Sequence, residues 1–332
     1  MKLSSSAEIV VLYSITENDT LDQLKKYPNL FKRVDYYSIG NFMYQNLSSE
    51  LKKYPNFEAI VFEYSNWNLT SICFLLFKKR KVIFWGHGYN REDKGGKNKL
   101  SVILKRKFGQ RAEKIITYTQ GGKIFLQRIG LEADKIFVAW NSIERTQFQY
   151  TQQVSIRKFK NRKVAFIGRL IPEKGVELAL EVFERVKHYG FSMEVIGGGD
   201  ALESLREAYP EVVFHGSLND IRVINDVLSE CTFLICPGYL GLNIVDALNN
   251  LLPIISVADG IDQVFHSPEY EYIQGRECFI SVDALKVSAF EEAIKQMVED
   301  YHQYDKKVQS IRDVSNQVSL ERMVEGFTKA LK

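Results

Sequence analysis

The stretch that decides the fold is residues 164–183, VAFIGRLIPEKGVELALEVF. A short apolar run ends at Gly168, a loop carries Arg169 and Lys174, and apolar residues then recur at helical spacing from Gly175. A strand, a glycine-containing loop and a helix in this order are typical of a parallel α/β sheet, whose ligands bind at the carboxyl ends of the strands. We therefore expect an α/β fold with a binding loop directly after this strand.

The same alternation of strands and helices extends in both directions along the chain. Further strands are predicted at Ile9–Tyr13, Ala59–Glu63, Lys81–Trp85, Lys114–Tyr118, Phe191–Ile196, Val212–His215, Thr232–Cys236 and Pro253–Val257. Helices are predicted at Gly175–Tyr189, Ala289–Tyr301 and Ser319–Leu331. Because parallel strands need crossover helices, this pattern predicts doubly wound architecture.

The length of 332 residues favours two domains, since one core rarely serves so long a chain. The polar stretch 144–162 has no clear periodicity and is interpreted as a linker. We therefore predict a first domain at residues 1–150 and a second at residues 151–312. A final helix within residues 313–332 could cross back to the first domain.

Nothing in the sequence predicts export or a membrane span. The first residues, MKLSSSAEIVVLYS, lack the apolar segment and cleavage site of a secretory signal, and the apolar run 72–77 is too short to cross a bilayer. The four cysteines include no CxxC pair, which favours reduced thiols. We expect a cytoplasmic protein, peripheral at the inner face of the membrane.

Membrane contact is suggested by residues 78–114, which hold thirteen Lys or Arg and three acidic residues although the whole chain carries only +3. Such a patch attracts phosphate-bearing surfaces, either lipid head groups or nucleic acid. Within it, residues 99–108 predict a basic helix with one apolar face, formed by Leu100, Ile103, Leu104 and Phe108. This helix would lie on an anionic membrane. Packing against its own domain is the equal alternative.

The loop after the decisive strand has the chemistry of a diphosphate site. Arginine offers a planar fork to phosphate oxygens and lysine a mobile point charge, so Arg169 and Lys174 can neutralise a diphosphate together. The alternative is a solvated loop with incidental charges.

A second anion site is predicted in residues 237–255, PGYLGLNIVDALNNLLPII, where a glycine turn leads into a helix. Free amides at Gly241, Leu242 and Asn243 would face phosphate oxygens. One turn later, Asp246 is placed to accept hydrogen bonds from ribose hydroxyls. Alternatively, Asp246 is only a favourable charge in the first turn of a helix.

These motifs resemble those of the retaining glycosyltransferases of family four, which have the GT-B fold. The resemblance rests on GRLIPEKG, on the V-x-F-x-G of residues 212–216 and on GLNIVDALNNLLPII. Residues 140–144, WNSIE, are similar to the N-G-[IV]-D element of the family. The resemblance implies two doubly wound Rossmann-like domains facing each other across a cleft, the first binding an acceptor and the second a nucleotide-sugar.

The resemblance also implies roles for individual residues. Arg169 and Lys174 would contact the donor diphosphate, Asp246 the ribose, and the loop His215–Leu218 the nucleobase. The full donor-binding set is Gly168, His215, Gly216, Ser217, Leu218, Gly238, Tyr239, Gly241, Leu242, Asn243 and Asp246. His87, flanked by glycines at the end of a predicted strand, would join Arg169 and Lys174 in catalysis by donating a hydrogen bond to a sugar hydroxyl or departing phosphate. A purely structural role for this histidine is the equal alternative.

The sequence departs from the family at one position. The family commonly carries two glutamates separated by seven residues, and the first of these positions is Gly238 here, whereas the second is Asp246. That glutamate touches the donor sugar in the family, so its loss leaves the sugar and the activity open. Bacterial polysaccharide-type enzymes with P-G-x-x-G-L at this point are similar. HSPEYEYIQG, residues 266–275, resembles the P-E element of the family, which would place Glu269 or Glu271 near the cleft. A surface loop with two acidic residues is the equal alternative.

The resemblance predicts transfer of a sugar from a nucleotide diphosphate-sugar to a glycan or lipid-linked acceptor in bacterial surface polysaccharide or glycoconjugate synthesis. Retention of configuration would need fixed dipoles and cations, with no nucleophile, no metal ion and no cofactor. The alternatives are a noncatalytic GT-B pseudoenzyme partner and a nucleotide-sugar epimerase. Nucleic-acid binding is not expected, because no motif for it is present.

Overall fold

The structure, a computed structural model, describes residues 8–14, 30–77, 81–89, 99–143 and 148–332. The chain divides into two compact units. The first unit comprises Met1–Trp140 together with Glu321–Lys332, and the second comprises Asn141–Leu320.

The first unit is built on a four-stranded parallel sheet with strand order β5-β6-β7-β8. These strands are β5 Ala59–Glu63, β6 Lys81–Gly86, β7 Lys114–Thr117 and β8 Ile136–Val138. They are preceded by a parallel pair, β1 Val11–Tyr13 and β2 Phe31–Arg33, and by an antiparallel hairpin, β3 Asp35–Ile39 and β4 Phe42–Asn46. Before Trp140, the described residues form the helices α1 Ser48–Lys53, α2 Leu69–Phe77, α3 Lys99–Arg111 and α4 Gln120–Arg128.

Both faces of this sheet are covered. Successive side chains of a strand point to opposite faces, and those of β6 enter two different cores. Val82 and Phe84 pack in the larger core, which includes Leu126 of α4. Ile83 packs in a smaller core on the other face, where it meets Phe327 from the end of the chain.

The second unit contains six parallel strands: β9 Lys163–Ile167, β10 Ser192–Ile196, β11 Val213–Gly216, β12 Phe233–Ile235, β13 Ile254–Val257 and β14 Phe279–Val282. Their spatial order is β11-β10-β9-β12-β13-β14. Numbered within the unit this is 3-2-1-4-5-6, the order of a Rossmann sheet, with its reversal between β9 and β12. The predicted α/β class is confirmed.

Seven helices of the second unit connect and cover these strands. They are α5 Gln152–Asn161, α6 Val176–Val186, α7 Leu202–Ala208, α8 Ile221–Ser229, α9 Asn243–Asn249, α10 Val287–Glu299 and α11 Tyr301–Gln317. Helix α6 buries six residues along one side, in agreement with the helical spacing that the sequence shows there.

The prediction of a linker at residues 144–162 was wrong for its second half, which forms α5. The side chain of Thr151 accepts a hydrogen bond from the amide of Val154 and caps the helix. Lys158 is fully buried, and its ammonium donates to the carbonyl oxygens of Leu228 and Cys231. The polar composition of this segment gave no apolar periodicity, and contacts with neighbouring elements bury one side of the helix. Residues 144–147 lie outside the described residues.

The last helix, α12 Leu320–Leu331, belongs to the first unit except for its first residue. A Cβ added at Gly326 would overlap the carbonyl oxygen of Val138, so the glycine permits close packing of α12 on β8. No helix among the described residues is long and apolar enough to cross a membrane.

Candidate functional site

Two of the predicted donor loops of the second unit lie at the reversal of its sheet, whereas the predicted nucleobase loop follows the edge strand β11. The loop after β9 carries Arg169 and Lys174, and the loop after β12 carries residues 236–242. Strands β9 and β12 are hydrogen-bonded neighbours, so both loops leave the same edge of the sheet side by side. Ligands of open α/β sheets bind at this point, because adjacent crossover connections run to opposite faces there and leave a crevice.

The two loops are joined by backbone hydrogen bonds. The amide of Gly238 donates to the carbonyl oxygen of Lys174 at 3.2 Å, and the amide of Tyr239 donates to that of Glu173 at 3.0 Å. A Cβ added at Gly238 would overlap the carbonyl oxygen of Glu173 and the backbone of Lys174. Position 238, where the sequence analysis expected a glutamate from the resemblance, is therefore closed to any side chain in this structure.

Both cations of the predicted diphosphate site meet at Tyr239. The ammonium of Lys174, a residue only 8% exposed, donates to the carbonyl oxygen of Tyr239 at 2.9 Å and lies 3.6 Å from the centroid of its ring. The exposed Arg169 directs Nη2 to the hydroxyl of Tyr239 at 3.4 Å. The arrangement fixes two positive charges at the mouth of the loop pair, where a phosphate group could be neutralised.

Helix α9 starts directly after this loop, at Asn243. The amide of Gly241 donates to Oδ1 of Asn243 at 2.8 Å, so the prediction that this amide is free was wrong. Nδ2 of the same side chain donates to the carbonyl oxygen of Ile167 at 3.4 Å, so Asn243 links the turn to the end of β9. Leu242 is 38% exposed at the helix start, and Asp246 lies in the first turn with 5% exposure.

His266 supports the loop 236–242 by a hydrogen bond to its backbone, and the sequence analysis did not identify this residue as part of the site. This fully buried side chain accepts a hydrogen bond from the amide of Leu240 at Nδ1, and its Nε2 lies 2.9 Å from the carbonyl oxygen of Val257. Because Nδ1 accepts from an amide, the ring proton belongs on Nε2, where it bonds the carbonyl. The signal in the sequence that could have identified it is its position as the first residue of 266–275, which we call the HSPE segment.

Cys236 also supports the loop. Its sulfur lies 3.7 Å from the carbonyl oxygens of Gly238 and Tyr239. Complete burial raises the pKa of this thiol, so it stays protonated and can donate to those carbonyls. The thiol is thus a structural group of the loop.

The predicted nucleobase loop begins at the end of β11. Nε2 of His215 lies 2.8 Å from a carboxylate oxygen of Glu194, and the other oxygen of Glu194 pairs with Lys163. The ring of His215 is therefore engaged by the neighbouring strand. Gly216 has a positive φ of 70°, and the exposed Ser217 and half-buried Leu218 follow it. Contact of this loop with a nucleobase stays a prediction.

The HSPE segment brings Glu269 against Asn141, far away in sequence. The carboxylate of Glu269 accepts a short hydrogen bond from the side-chain Nδ2 of Asn141. The backbone N–H of Asn141 donates to the hydroxyl of Tyr272 at 2.9 Å. Glu269 is only 2% exposed, and its second oxygen is buried with no hydrogen-bond partner among the described residues. Glu271 is half-buried. The two motifs that resemble family elements at residues 140–144 and 266–275 are thus in contact.

On the first unit, His87 follows β6 and is exposed, with its ring 4.6 Å from that of Tyr118. Gly88 adopts φ +81°, and a Cβ there would lie 3.0 Å from the carbonyl oxygen of Gly122 in α4. The glycine allows the His87 loop to pack closely on the start of that helix. His87 is thereby presented to solvent at the carboxyl end of a strand.

The basic tract is only partly available as a surface. Residues 78–80 and 90–98 lie outside the described residues, and within α3 the side chain of Lys105 is 7% exposed. Its ammonium donates to the carbonyl oxygen of Gly88 at 3.1 Å and lies 5.0 Å from the ring centroid of Tyr64. Lys105 therefore supports the His87 loop, whereas Arg106 and Lys107 are exposed.

Metal ligands are not grouped in this protein as far as it is described. Within the residues that the structure covers, no cluster of three or more His, Cys, Asp or Glu side chains could hold a metal ion.

Comparison with known families supports the sequence interpretation of the second unit. Residues 161–300 match the family model described as "Glycosyl transferases group 1". This range contains the loop pair, the nucleobase loop and the HSPE segment.

Two curated Escherichia coli proteins are similar over part of the chain. The O-antigen biosynthesis glycosyltransferase WbnH and the probable O-antigen biosynthesis glycosyltransferase WbiN are each 28% identical over 145 residues. The match covers 42% of this chain and 40% of each relative, so less than half the length of either is represented.

Solved structures resemble nearly the whole chain. Anabaena Alr3699/HepE in complex with UDP and glucose has a TM-score of 0.67 at 12% identity, covering 96% of this chain and 91% of that protein. Sucrose-phosphate synthase from Thermosynechococcus elongatus has a TM-score of 0.65 at 14% identity, with coverages of 91% and 82%. These likenesses establish the fold, which is of the GT-B type with two Rossmann-like units.

Proposed function

We propose that this protein is a glycosyltransferase that takes a sugar from a nucleotide diphosphate-sugar. The observation that carries the proposal is the convergence of Arg169 and Lys174 on Tyr239 at the reversal of a Rossmann sheet. Dinucleotides bind at this crevice in other Rossmann folds, and two cations there suit a diphosphate. The group 1 family match over residues 161–300 supports the same assignment.

We further propose a role for each part of the site. Arg169 and Lys174 stabilise the departing nucleotide diphosphate, because charge develops on it as the sugar bond breaks. Asp246 accepts hydrogen bonds from the ribose, and His215–Leu218 lies against the nucleobase. His87 of the first unit acts on the acceptor side. The donor set includes Gly168, Gly216, Ser217, Gly238, Tyr239, Gly241, Leu242 and Asn243.

The chemistry we propose is transfer with retention of configuration, without a metal ion or cofactor. Transition-state stabilisation by cations and dipoles requires neither a nucleophile nor a general base from the protein. The donor proposed first is a UDP-sugar, since HepE was solved with UDP and with UDP-glucose. The acceptor proposed is a glycan or lipid-linked glycan in bacterial surface polysaccharide synthesis, the context that the names of WbnH and WbiN give.

A thermal-shift panel of UDP-, GDP- and ADP-sugars tests the donor assignment. We expect one nucleotide class to raise the unfolding temperature, because a ligand that binds only the folded state stabilises it by mass action. The stabilising donor is then incubated with the protein in the presence and absence of candidate glycan acceptors. Transfer to an acceptor supports the proposal, epimerisation without acceptor points to an epimerase, and binding without turnover points to a pseudoenzyme.

We also propose that the basic segment 78–114 contacts an anionic membrane surface at the inner face of the cell membrane. Arg106, Lys107 and Arg111 are exposed on α3, and no acidic residue occurs in that helix. Each cation near an anionic surface contributes about 1 kcal/mol of attraction.

A further inference from the structure

The hairpin β3–β4 exposes an apolar face that the sequence analysis did not foresee. Tyr37 pairs with Tyr44, and Ile39 pairs with Phe42. Directly opposed residues of an antiparallel pair point to the same face, and alternate residues of one strand do so too, so these four side chains share one face. All four are exposed: Tyr37 56%, Tyr44 39%, Ile39 77% and Phe42 41%.

This face continues beyond the hairpin to Trp67. The amide of Met43 donates to the carbonyl oxygen of Trp67 at 2.9 Å, and the indole ring lies 5.3 Å from that of Phe42. Trp67 is 43% exposed. The hairpin and this tryptophan form one patch, which we call the aromatic face: Tyr37, Ile39, Phe42, Tyr44 and Trp67.

The aromatic face adjoins the exposed side of α3. Nδ2 of Asn66, the residue before Trp67, donates to the carbonyl oxygen and the hydroxyl of Ser101 at 3.0 and 2.9 Å. Leu100 and Ile103, one turn apart on α3, are 67% and 50% exposed. The predicted apolar stripe of this helix is therefore divided, since Leu104 and Phe108 are half-buried and Phe108 packs on the core.

The composition of this combined surface indicates what covers it. Large exposed apolar patches mark interaction sites, and tyrosine and tryptophan are enriched at membrane–water interfaces because their rings are apolar with a polar edge. The exposed side of α3 continues from Leu100 and Ile103 to Arg106, Lys107 and Arg111. Apolar and aromatic side chains beside cations complement an anionic lipid surface, whereas a neutral partner would leave those cations unmatched.

We propose that the aromatic face is the element by which this protein inserts into an anionic phospholipid bilayer. Ile39 and Phe42 flank the two-residue turn Gly40–Asn41 and enter the interfacial layer, while the cations of α3 contact lipid phosphates. The inference rests on the proposed contact of residues 78–114 with a membrane and names the apolar element that complements it.

Co-sedimentation with vesicles tests this inference. The probes are vesicles of phosphatidylglycerol and phosphatidylcholine in equal parts, and vesicles of phosphatidylcholine alone. The variants are I39S/F42S in the hairpin, R106Q/K107Q in α3, and V213S/V223S as a control. Val213 and Val223 are exposed apolar residues of the second unit, at 48% and 41%, and lie outside the proposed surface. All four residues of the two serine variants are on the surface, at 77% exposure for Ile39 and 41–48% for the others, so we expect each variant to fold, and circular dichroism checks this.

We expect the wild-type protein and the control to bind the anionic vesicles, and the hairpin variant to bind at least tenfold more weakly. Binding by the cation variant should also weaken, and wild-type binding should fall with added salt. If the hairpin variant binds like the wild type while the cation variant does not, the hairpin inference is overturned and the basic contact stands. If no protein binds anionic vesicles, the hairpin inference and the proposed basic contact both fail.

A wild-type dimer in light scattering that I39S/F42S converts to monomer would assign the face to a second copy. A raised KM of the hairpin variant for a water-soluble glycan without vesicles would assign it to the acceptor. Either result overturns the lipid proposal.

Discussion

The ammonium of Lys174 is held by Tyr239 in two ways: it donates to the carbonyl oxygen at 2.9 Å and lies 3.6 Å from the ring centroid. Both contacts fix the position of a buried cation at the junction of the two loops after β9 and β12. A preorganised charge of this kind costs little further ordering when an anion binds.

The variant Lys174→Ala should therefore weaken binding of UDP, or of whichever nucleoside diphosphate the panel identifies, by tenfold or more. A hydrogen bond to a charged group contributes roughly 1.5 to 3 kcal/mol, which corresponds to at least that factor. Isothermal titration calorimetry measures the affinity. Lys187→Ala is the matched control, since that lysine lies in the same unit but pairs with Glu184 and Glu211 on the surface. Equal affinities of wild type and Lys174→Ala would remove the diphosphate assignment.

Placing a glutamate at position 238 should destabilise the protein. A Cβ at Gly238 would overlap the backbone of Glu173 and Lys174, so the two loops must separate. Overpacking of this kind costs about 1 to 3 kcal/mol. We expect Gly238→Ala and Gly238→Glu to lower the unfolding temperature and to reduce donor binding together.

Gly241→Ala provides the comparison for position 238, because its added Cβ would meet only the movable hydroxyl of Ser267, at 3.3 Å. Differential scanning fluorimetry should show a smaller change for Gly241→Ala. A fully stable Gly238→Glu variant with improved turnover would contradict the packing argument.

Removal of His266 should loosen the loop 236–242 that follows β12. In His266→Ala the buried amide of Leu240 loses its acceptor, a loss that costs about 1 to 3 kcal/mol. We expect a lower unfolding temperature and a weaker stabilisation by the nucleotide-sugar. His302→Ala, in an exposed position of α11, is the control. A nucleotide-sugar shift in His266→Ala equal to that of the wild type would show that the loop is held without this ring.

Stability should depend on pH through Lys158. Burial lowers the pKa of this lysine to about 7 from 10.5, so below pH 7 the ammonium is charged in both the folded and unfolded states and its burial cost is fully present. Between these two values the unfolded chain binds more protons than the folded protein. The contribution of Lys158 to the free energy of unfolding therefore rises with pH, by about 1.4 kcal/mol per pH unit.

The measurement compares wild type with Lys158→Met, which cannot titrate, by urea unfolding at several pH values across this window. The difference between the two free energies of unfolding should grow in favour of the wild type as pH rises. A constant difference would mean that the lysine titrates at its ordinary value in the folded protein.

Local patterns predicted the strands and the loops that follow them. The predicted strand Lys163–Ile167 is β9, and Ala59–Glu63 is β5, with the same bounds. Both are short apolar runs bounded by polar or glycine residues, which leaves little ambiguity in their length. Helix α5 was missed because its sequence is polar. Its buried side is created by contact with α8 and α11, and Lys158 on that side donates to the carbonyl oxygen of Leu228 at the end of α8. The sequence analysis did not predict hairpin β3–β4. Most of its apolar side chains are exposed, so its strands lack the buried apolar run by which the other strands were recognised.

The sequence by itself determined that this is an α/β protein and that Arg169, Lys174 and Asp246 follow strand ends, because periodicity and turn residues act over a few positions. Only the tertiary structure decided which loops meet. Sheet order placed the strands β9 and β12 side by side, and the packing of the loops that follow them closed position 238. Loop packing also brought His266 to Leu240 and joined Glu269 to Asn141. These contacts link residues distant in the chain, and strand order with loop packing, which no local pattern encodes, sets their geometry.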